Sequence, residues 1–172
     1  MWLIAIALIA ASQVSTQEHD AEAYHRVLHY RIEIPADVEV VWPHVMDLGA
    51  WMFDFDLELV AGEPGTVGEV RRLYAGQDHL LQVVGLITNQ LLVLANLPAT
   101  MAGEESTGVA VLTLNEGGGA TVVDLTMSWR HEWRGTGENP LRARRESAEF
   151  VEATDAMWSR FHERLRALAL DG

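Results

Sequence analysis

The chain has 172 residues, a formal net charge of −13 and 49% apolar residues, with no lysine and no cysteine. That length suits one domain and allows roughly 70% of the unfolded surface to be buried. The acidic balance repels phosphate backbones and argues against nucleic acid as a partner, while the missing cysteine excludes disulfides, thiolate metal sites and a cysteine nucleophile.

The N-terminus reads MWLIAIALIAASQVSTQ, with a continuous apolar run over residues 2–11. The run is too short to span a bilayer and has the length of the apolar region of a secretory signal, although no Lys or Arg precedes it. The expectation is a signal peptide over residues 1–17, a linker over 18–24 and one domain over 25–171. On that basis the expectation is export to the periplasm or secretion, with no stable membrane insertion after processing; if the apolar run is not a signal, the expectation is a cytoplasmic protein.

From residue 25 the pattern turns regular. In HRVLHYRIEI, Leu28, Tyr30, Ile32 and Ile34 alternate with polar residues, which predicts a half-buried strand ended by Pro35. Asp37 caps a short helix over 37–47 carrying Val38, Val41, Trp42 and Val45, with Pro43 inside it and Gly49 as its breaker. A second short helix or turn follows through Ala50–Phe53. FDFDLELV, residues 53–60, alternates strictly and predicts a strand with Phe53, Phe55, Leu57 and Leu59 on its dry face.

GEPGT turns the chain, VGEVRRLYA predicts a further strand, and AGQD turns it again. HLLQVVGLI and QLLVLANL are two apolar strands joined at Thr88-Asn89, and residues 98–107 read as a loop. GVAVLTLNE and TVVDLTMSWRHEW form a hairpin whose turn, Gly117–Gly119, supplies positive φ angles. Asn139-Pro140 opens a helical pattern that runs to Leu170, with Phe150, Val151, Met157, Trp158, Phe161, Leu165 and Leu168 in one apolar stripe.

This order, carried by IEIPADVEVVWPHVMDLGAW, PGTVGEVRRL, GVAVLTLNEGGGATVVDLTMSW and MWSRFHERLRALA, resembles the START/SRPBCC superfamily over about residues 25–170. It looks most like the polyketide cyclase/dehydrase-like branch, with the birch-pollen-allergen type of helix-grip architecture. The resemblance implies an α+β fold: a curved antiparallel sheet of six to seven strands wrapped on a long C-terminal helix, with one or two short helices after the first strand. It implies a cavity for lipids, sterols, polyketides or hormones, and catalysis in only some members.

Candidate ligand contacts follow from the inward rows. The first strand contributes Tyr30. Trp51, Phe53 and Phe55 follow the small helix, where Trp42 is read as packing and Trp51 as a candidate for the cavity mouth. In the last strand Met127, Trp129 and His131 share the inward phase. One phase of Val70, Arg72 and Tyr74 turns Arg72 inward, where an arginine beside a tyrosine suits an acidic or carbonyl-bearing ligand. The long helix offers Phe150, Thr154, Met157, Trp158 and Phe161, an adaptable apolar lining with one hydroxyl. That hydroxyl has a competing partner in the helix carbonyl one turn earlier.

His44 and Asp47 share a helix face but have no neighbouring nucleophile. Asp54, Asp56 and Glu58 follow the outward face of a strand, and the seven histidines lack zinc-site spacing. No metal and no cofactor is expected. The leading expectation is therefore a binder of a small hydrophobic molecule, lipid or polyketide-like. An enzyme of the cyclase/dehydratase kind is the first alternative, with Tyr30, Arg72 and His131 as its candidate catalytic residues. An interaction or stress-related module with a self-filled cavity is the second.

Overall fold

The computed structural model describes residues 23–52, 55, 57–73, 79–101, 104–133, 139, 142 and 146–171. The apolar N-terminal run, Phe53, the AGQD turn and the arginines at 144 and 145 lie outside the described residues.

Strand β1 (Ala23–Ile34) leads into helix α1 (Val38–Met46) and a single-turn helix α2 (Leu48–Trp51). Strands β2 (Glu58–Ala61), β3 (Val70–Arg72), β4 (Leu80–Ile87), β5 (Leu91–Met101), β6 (Glu104–Gly117) and β7 (Ala120–Trp133) follow, and helix α3 (Ala148–Asp171) comes last. The strands form one antiparallel seven-stranded sheet in the order β1-β7-β6-β5-β4-β3-β2. The α+β helix-grip architecture expected from the order of elements is the one observed.

Alternation along β1 and β7 works as the sequence predicts. Leu28, Tyr30, Ile32 and Ile34 turn toward the helices, opposite Met127, Leu125, Val123 and Thr121. The rows continue across the sheet, so that Leu125 faces Leu112 and Leu112 faces Leu92. These rows and the apolar faces of the three helices make one core. Within it Trp51, Phe161, Leu165, Val41 and Val45 are fully enclosed.

The helix α3 is held at its C-terminal half. Phe161 meets Trp158 edge-on at 5.2 Å, Trp51 edge-on at 6.4 Å and Phe55 at 5.6 Å, so aromatic rings from three segments meet around it. Arg164 Nε donates to the carbonyl of Ala50 at 3.4 Å, tying α3 to α2. The tight β6–β7 turn needs positive φ at both central residues, and Gly118 and Gly119 supply it at 67° and 80°.

Several boundaries differ from expectation. Among the described residues of FDFDLELV only those from Glu58 on are paired, in a strand Glu58–Ala61 whose four residues are all exposed, while Phe55 packs on Phe161 and Leu57 is half-buried, both outside the strand. The alternation there records a segment that tucks apolar side chains under α3 without pairing. Residues 98–107, expected as a loop, are largely strand, because β5 and β6 run on past Pro98. Proline removes one amide donor, and the ladder absorbs it with a register shift between Asn96 and Ala99.

Gly49 does not break the first helix. The break is at Asp47, whose amide bonds the Pro43 carbonyl, and Gly49 lies inside α2. The terminal helix starts at Ala148, with Ser147 Oγ accepting the Phe150 amide at 3.2 Å; Asn139 Oδ1 caps an earlier turn by accepting the Arg142 amide. Val151, expected in the apolar stripe, is 36% exposed.

Truncating the anchor tests this packing. Phe161→Ala is expected to cost about 3–5 kcal/mol, and Val151→Ala no more than about 0.5 kcal/mol, read from urea denaturation midpoints at unchanged slope. Equal losses at the two positions would show that the C-terminal half of α3 is not the anchor.

Candidate functional site

The inner face of the sheet divides into two ends. Toward the β6–β7 turn Ile34, Leu114, Val123 and Leu125 are buried in one core with residues of α1 and α3. Toward the other end the inward side chains Leu28, Ala110, Trp129 and Asn96 are only half-buried. Facing them, Phe150, Thr154 and Met157 on the first half of α3 are also half-buried. This less covered end, where side chains of α3 and of the sheet are only partly buried, is the open end of the fold.

One row crosses this open end: Arg26, Trp129, Gly108, Asn96, Leu81 and Arg71 are successive partners from β1 to β3. Gly108 is required there, because a Cβ would overlap the Trp129 indole lying across it. The next row holds Tyr24, His131 and Ser106.

His131 is 6% exposed and Glu104 is 1% exposed. The imidazole Nδ1 lies 3.0 Å from Glu104 Oε1, and Asn139 Nδ2 donates to Glu104 Oε2 at 2.6 Å. The three residues come from β7, β6 and the segment before α3. Burial, then the positive charges of Arg26 and His25, push the His131 imidazole down to about 4. At neutral pH the ring is uncharged, so Nδ1–H donates to the carboxylate and Nε2 is left as the acceptor nitrogen.

Arg26 is the inward arginine that sequence reading misses. Its guanidinium sits over the Phe150 ring at 5.4 Å, and its charge acts on both Tyr30 and His131. Among the described residues no carboxylate pairs with it. The signal was available, since Arg26 keeps the phase of Leu28 and Tyr30.

Arg72, expected inward, faces the other side of the sheet and pairs with Glu58 at 2.6 Å. Arg71 takes the inward phase beside Leu81, where it pairs with buried Glu69, whose other oxygen accepts the Gly65 amide at 2.6 Å. A strand with two adjacent arginines does not reveal its phase; the partner register does.

The remaining candidates fall into two groups. Phe150, Thr154, Met157, Trp129 and His131 gather at the open end. Met127, Trp158, Phe161 and Trp51 belong to the core cluster beneath it, and Phe55, like Trp129 and Met157, is partly buried against that cluster. Trp51, read as a mouth residue, is buried and donates its indole N–H to the Val45 carbonyl at 3.1 Å, because α2 tucks it under α3. Phe53 lies outside the described residues.

Tyr30 links the sheet to α3. Its hydroxyl donates to Asp155 Oδ1 at 2.7 Å, and its ring stacks on Trp158 at 5.9 Å. Burial and then the Asp155 carboxylate push the phenol well above its ordinary value, so it stays protonated. Thr154 Oγ1 donates to the Phe150 carbonyl at 2.8 Å, the local bond weighed against a ligand contact.

A separate open cleft of about 660 Å³ lies at the opposite end, between the start of α1 and the β4–β5 turn, lined among others by Glu39, Asn89, Gln90, Thr113 and Asn115. It shares no residue with the open end of α3. Among the described residues no group of three or more acidic or histidine side chains is arranged to hold a metal, and no helix is long and apolar enough to cross a membrane.

The depressed imidazole gives a pH prediction. His131 takes up a proton near 6.5 when unfolded and only near 4 when folded, so acid favours the unfolded chain. The contribution is complete above about pH 6.5 and is lost as pH falls from there toward 4, by on the order of 3 kcal/mol. Burial lowers His162 in the same direction, so the check is a difference: urea stability of the wild type should fall more steeply between pH 7 and 4 than that of His131→Gln. Parallel profiles would show that His131 is not held neutral.

No family model matches the sequence, and no curated protein matches it. Solved structures do. The chain is similar to the crystal structure of Ara h 8.0201, with a TM-score of 0.60 at 12% identity, over 87% of this chain and all of that one. It is similar to a protein from Rhizobium leguminosarum, with a TM-score of 0.59 at 14% identity, over 84% and 97% of the two chains. It is also similar to norcoclaurine synthase from Thalictrum flavum, with a TM-score of 0.55 at 14% identity, over 95% of this chain and all of the synthase. The chain therefore has the helix-grip fold that the START/SRPBCC resemblance implied: a seven-stranded antiparallel sheet curved about a long C-terminal helix, with two short helices after the first strand.

Proposed function

We propose that the protein binds a small, largely apolar molecule, lipid or polyketide-like, between the first half of α3 and the β1-β7-β6-β5 face of the sheet. One observation carries this reading: Leu28, Ala110, Trp129 and Met157 face the concave side of the fold, pack against its core and yet are only partly buried. Apolar surface turned inward and left uncovered gains free energy when a ligand covers it, by about 25 cal/mol per Å². Met157 and Trp129 suit a ligand of imprecise shape, because a thioether and an indole adapt to apolar contacts while keeping some polarity.

A second reading, an enzyme of the cyclase/dehydratase kind, is favoured by the chain Asn139–Glu104–His131. A carboxylate that holds one imidazole nitrogen leaves the other in a defined tautomer for proton transfer. The similarity to a synthase, of which a point mutant is known in complex with a transition-state analogue, is consistent with such use of the fold. Under this reading His131→Gln keeps ligand affinity and loses turnover. The apolar N-terminal run still supports export as the setting for binding.

The decisive experiment is to purify the protein without detergent, denature it in organic solvent and identify released compounds by mass spectrometry. The expected result is a stoichiometric apolar compound, absent from a Thr154→Trp variant that fills the space beside Phe150 and Met157 but retains the native melting transition. Repeated preparations that release nothing, with no apolar compound raising Tm, would count against ligand binding and favour a fold whose concave face serves another purpose.

A further inference from the structure

Arg26 is the feature of the open end that a purely apolar ligand leaves unexplained. An arginine on the inner face of a sheet is desolvated on one side and is normally matched by a carboxylate. Arg71, also on the inner face, follows that rule with Glu69, and on the outer face Arg72 pairs with Glu58 and Arg31 with Asp124. Arg26 instead rests on the face of Phe150, and among the described residues no carboxylate pairs with it.

Among the described residues the nearby inward acids are already engaged. Asp155 accepts the Tyr30 hydroxyl, and Glu104 accepts from His131 and Asn139. Around Arg26 the row is otherwise apolar or uncharged: Trp129 and Gly108 in register, Leu28 on the same strand face, and Phe150 above. A positive charge with flat donors therefore borders the half-exposed apolar surface of Leu28, Trp129 and Met157.

We infer that the ligand is an amphipathic acid, an apolar body ending in a carboxylate, whose head group pairs with the guanidinium of Arg26. This rests on the binding reading above and adds the head-group chemistry to it. The guanidinium presents two parallel N–H donors to a carboxylate, a geometry that an alcohol or an ester cannot match. His131 then serves as a neutral neighbour and Tyr30 as a protonated one, so neither adds a negative charge against the ligand.

The test compares decanoate with decanol, below their micelle-forming concentrations, by calorimetry on the full chain at pH 7. The account expects decanoate to bind about 10- to 100-fold more tightly. It expects that preference to weaken with added salt and to disappear in Arg26→Gln while decanol affinity is retained. Because Arg26→Gln also removes the contact with Phe150, the ¹⁵N side-chain resonance of Arg26 in the unmodified protein gives an independent readout. It should shift with decanoate and not with decanol.

Equal affinities for acid and alcohol, or a preference that survives in Arg26→Gln, would overturn the head-group assignment and leave the apolar site standing. Failure of both compounds to bind, with no ligand released from the purified protein, would overturn the binding reading together with the inference.

Discussion

The structure depends on where α3 is anchored. Phe161, wedged among Trp51, Trp158 and Phe55, fixes the second half of the helix against α2 and the sheet. Leu165 and Ala169 extend the same buried line. Upstream the stripe loses its large buried members: Thr154 spends its hydroxyl on the helix backbone, and Val151 is exposed. The second half of the helix is thus the more deeply buried, and the first half meets the sheet through Tyr30–Asp155 and Arg26–Phe150 with its side chains only partly covered.

The polar groups at the open end are arranged with the same economy. Tyr30–Asp155 holds α3 to β1 just before the aromatic anchor begins, and Asn139–Glu104–His131 joins β6 and β7 to the segment preceding α3. Buried polar groups cost free energy unless their bonds are made, and among the described residues none of the buried side-chain nitrogens or oxygens lacks a partner. Arg26 differs from its neighbours only in having an aromatic ring, and no acid, as its described contact. Among the described residues the inward-facing positive charge of the open end is thus that of Arg26, while Trp129 lies across Gly108 beside it.

Much of the fold was legible because its longest elements obey simple periods. β1 and β7 alternate cleanly, the glycine turn demands a hairpin, and the end of the chain repeats at helical spacing. What failed has identifiable causes. In FDFDLELV the described Phe55 and Leu57 pack against the core without belonging to a strand, so their alternation does not require a ladder. Residues 98–107 look like a loop because Pro98, glycine and small polar residues obscure strands whose pairing is decided by long neighbours. Gly49 sits in a helix because tertiary contacts of Trp51 outweigh its low propensity.

The site was legible in part. The phase of Met127, Trp129 and His131 could be read from β7 alone, since six successive alternations fix it. The choice between Arg71 and Arg72 could not, since adjacent charges leave the phase open until the register Arg71–Leu81 is known. Arg26 was missed because it stands next to His25 in a stretch that reads as polar, although its phase matches Leu28. Glu104 was hidden in an apparent loop; nothing in its local sequence marks a buried carboxylate.

The central claim is that the concave face between β1-β7-β6 and the first half of α3 holds space lined by apolar side chains. Crystals of the protein under xenon pressure test it most directly, because xenon occupies apolar cavities without needing a polar partner. The account predicts a xenon site in contact with Leu28, Ala110, Trp129 and Met157. Xenon found only in the cleft beside Asn89 and Asn115, or nowhere, with Met157 packed down onto Ala110, would contradict it.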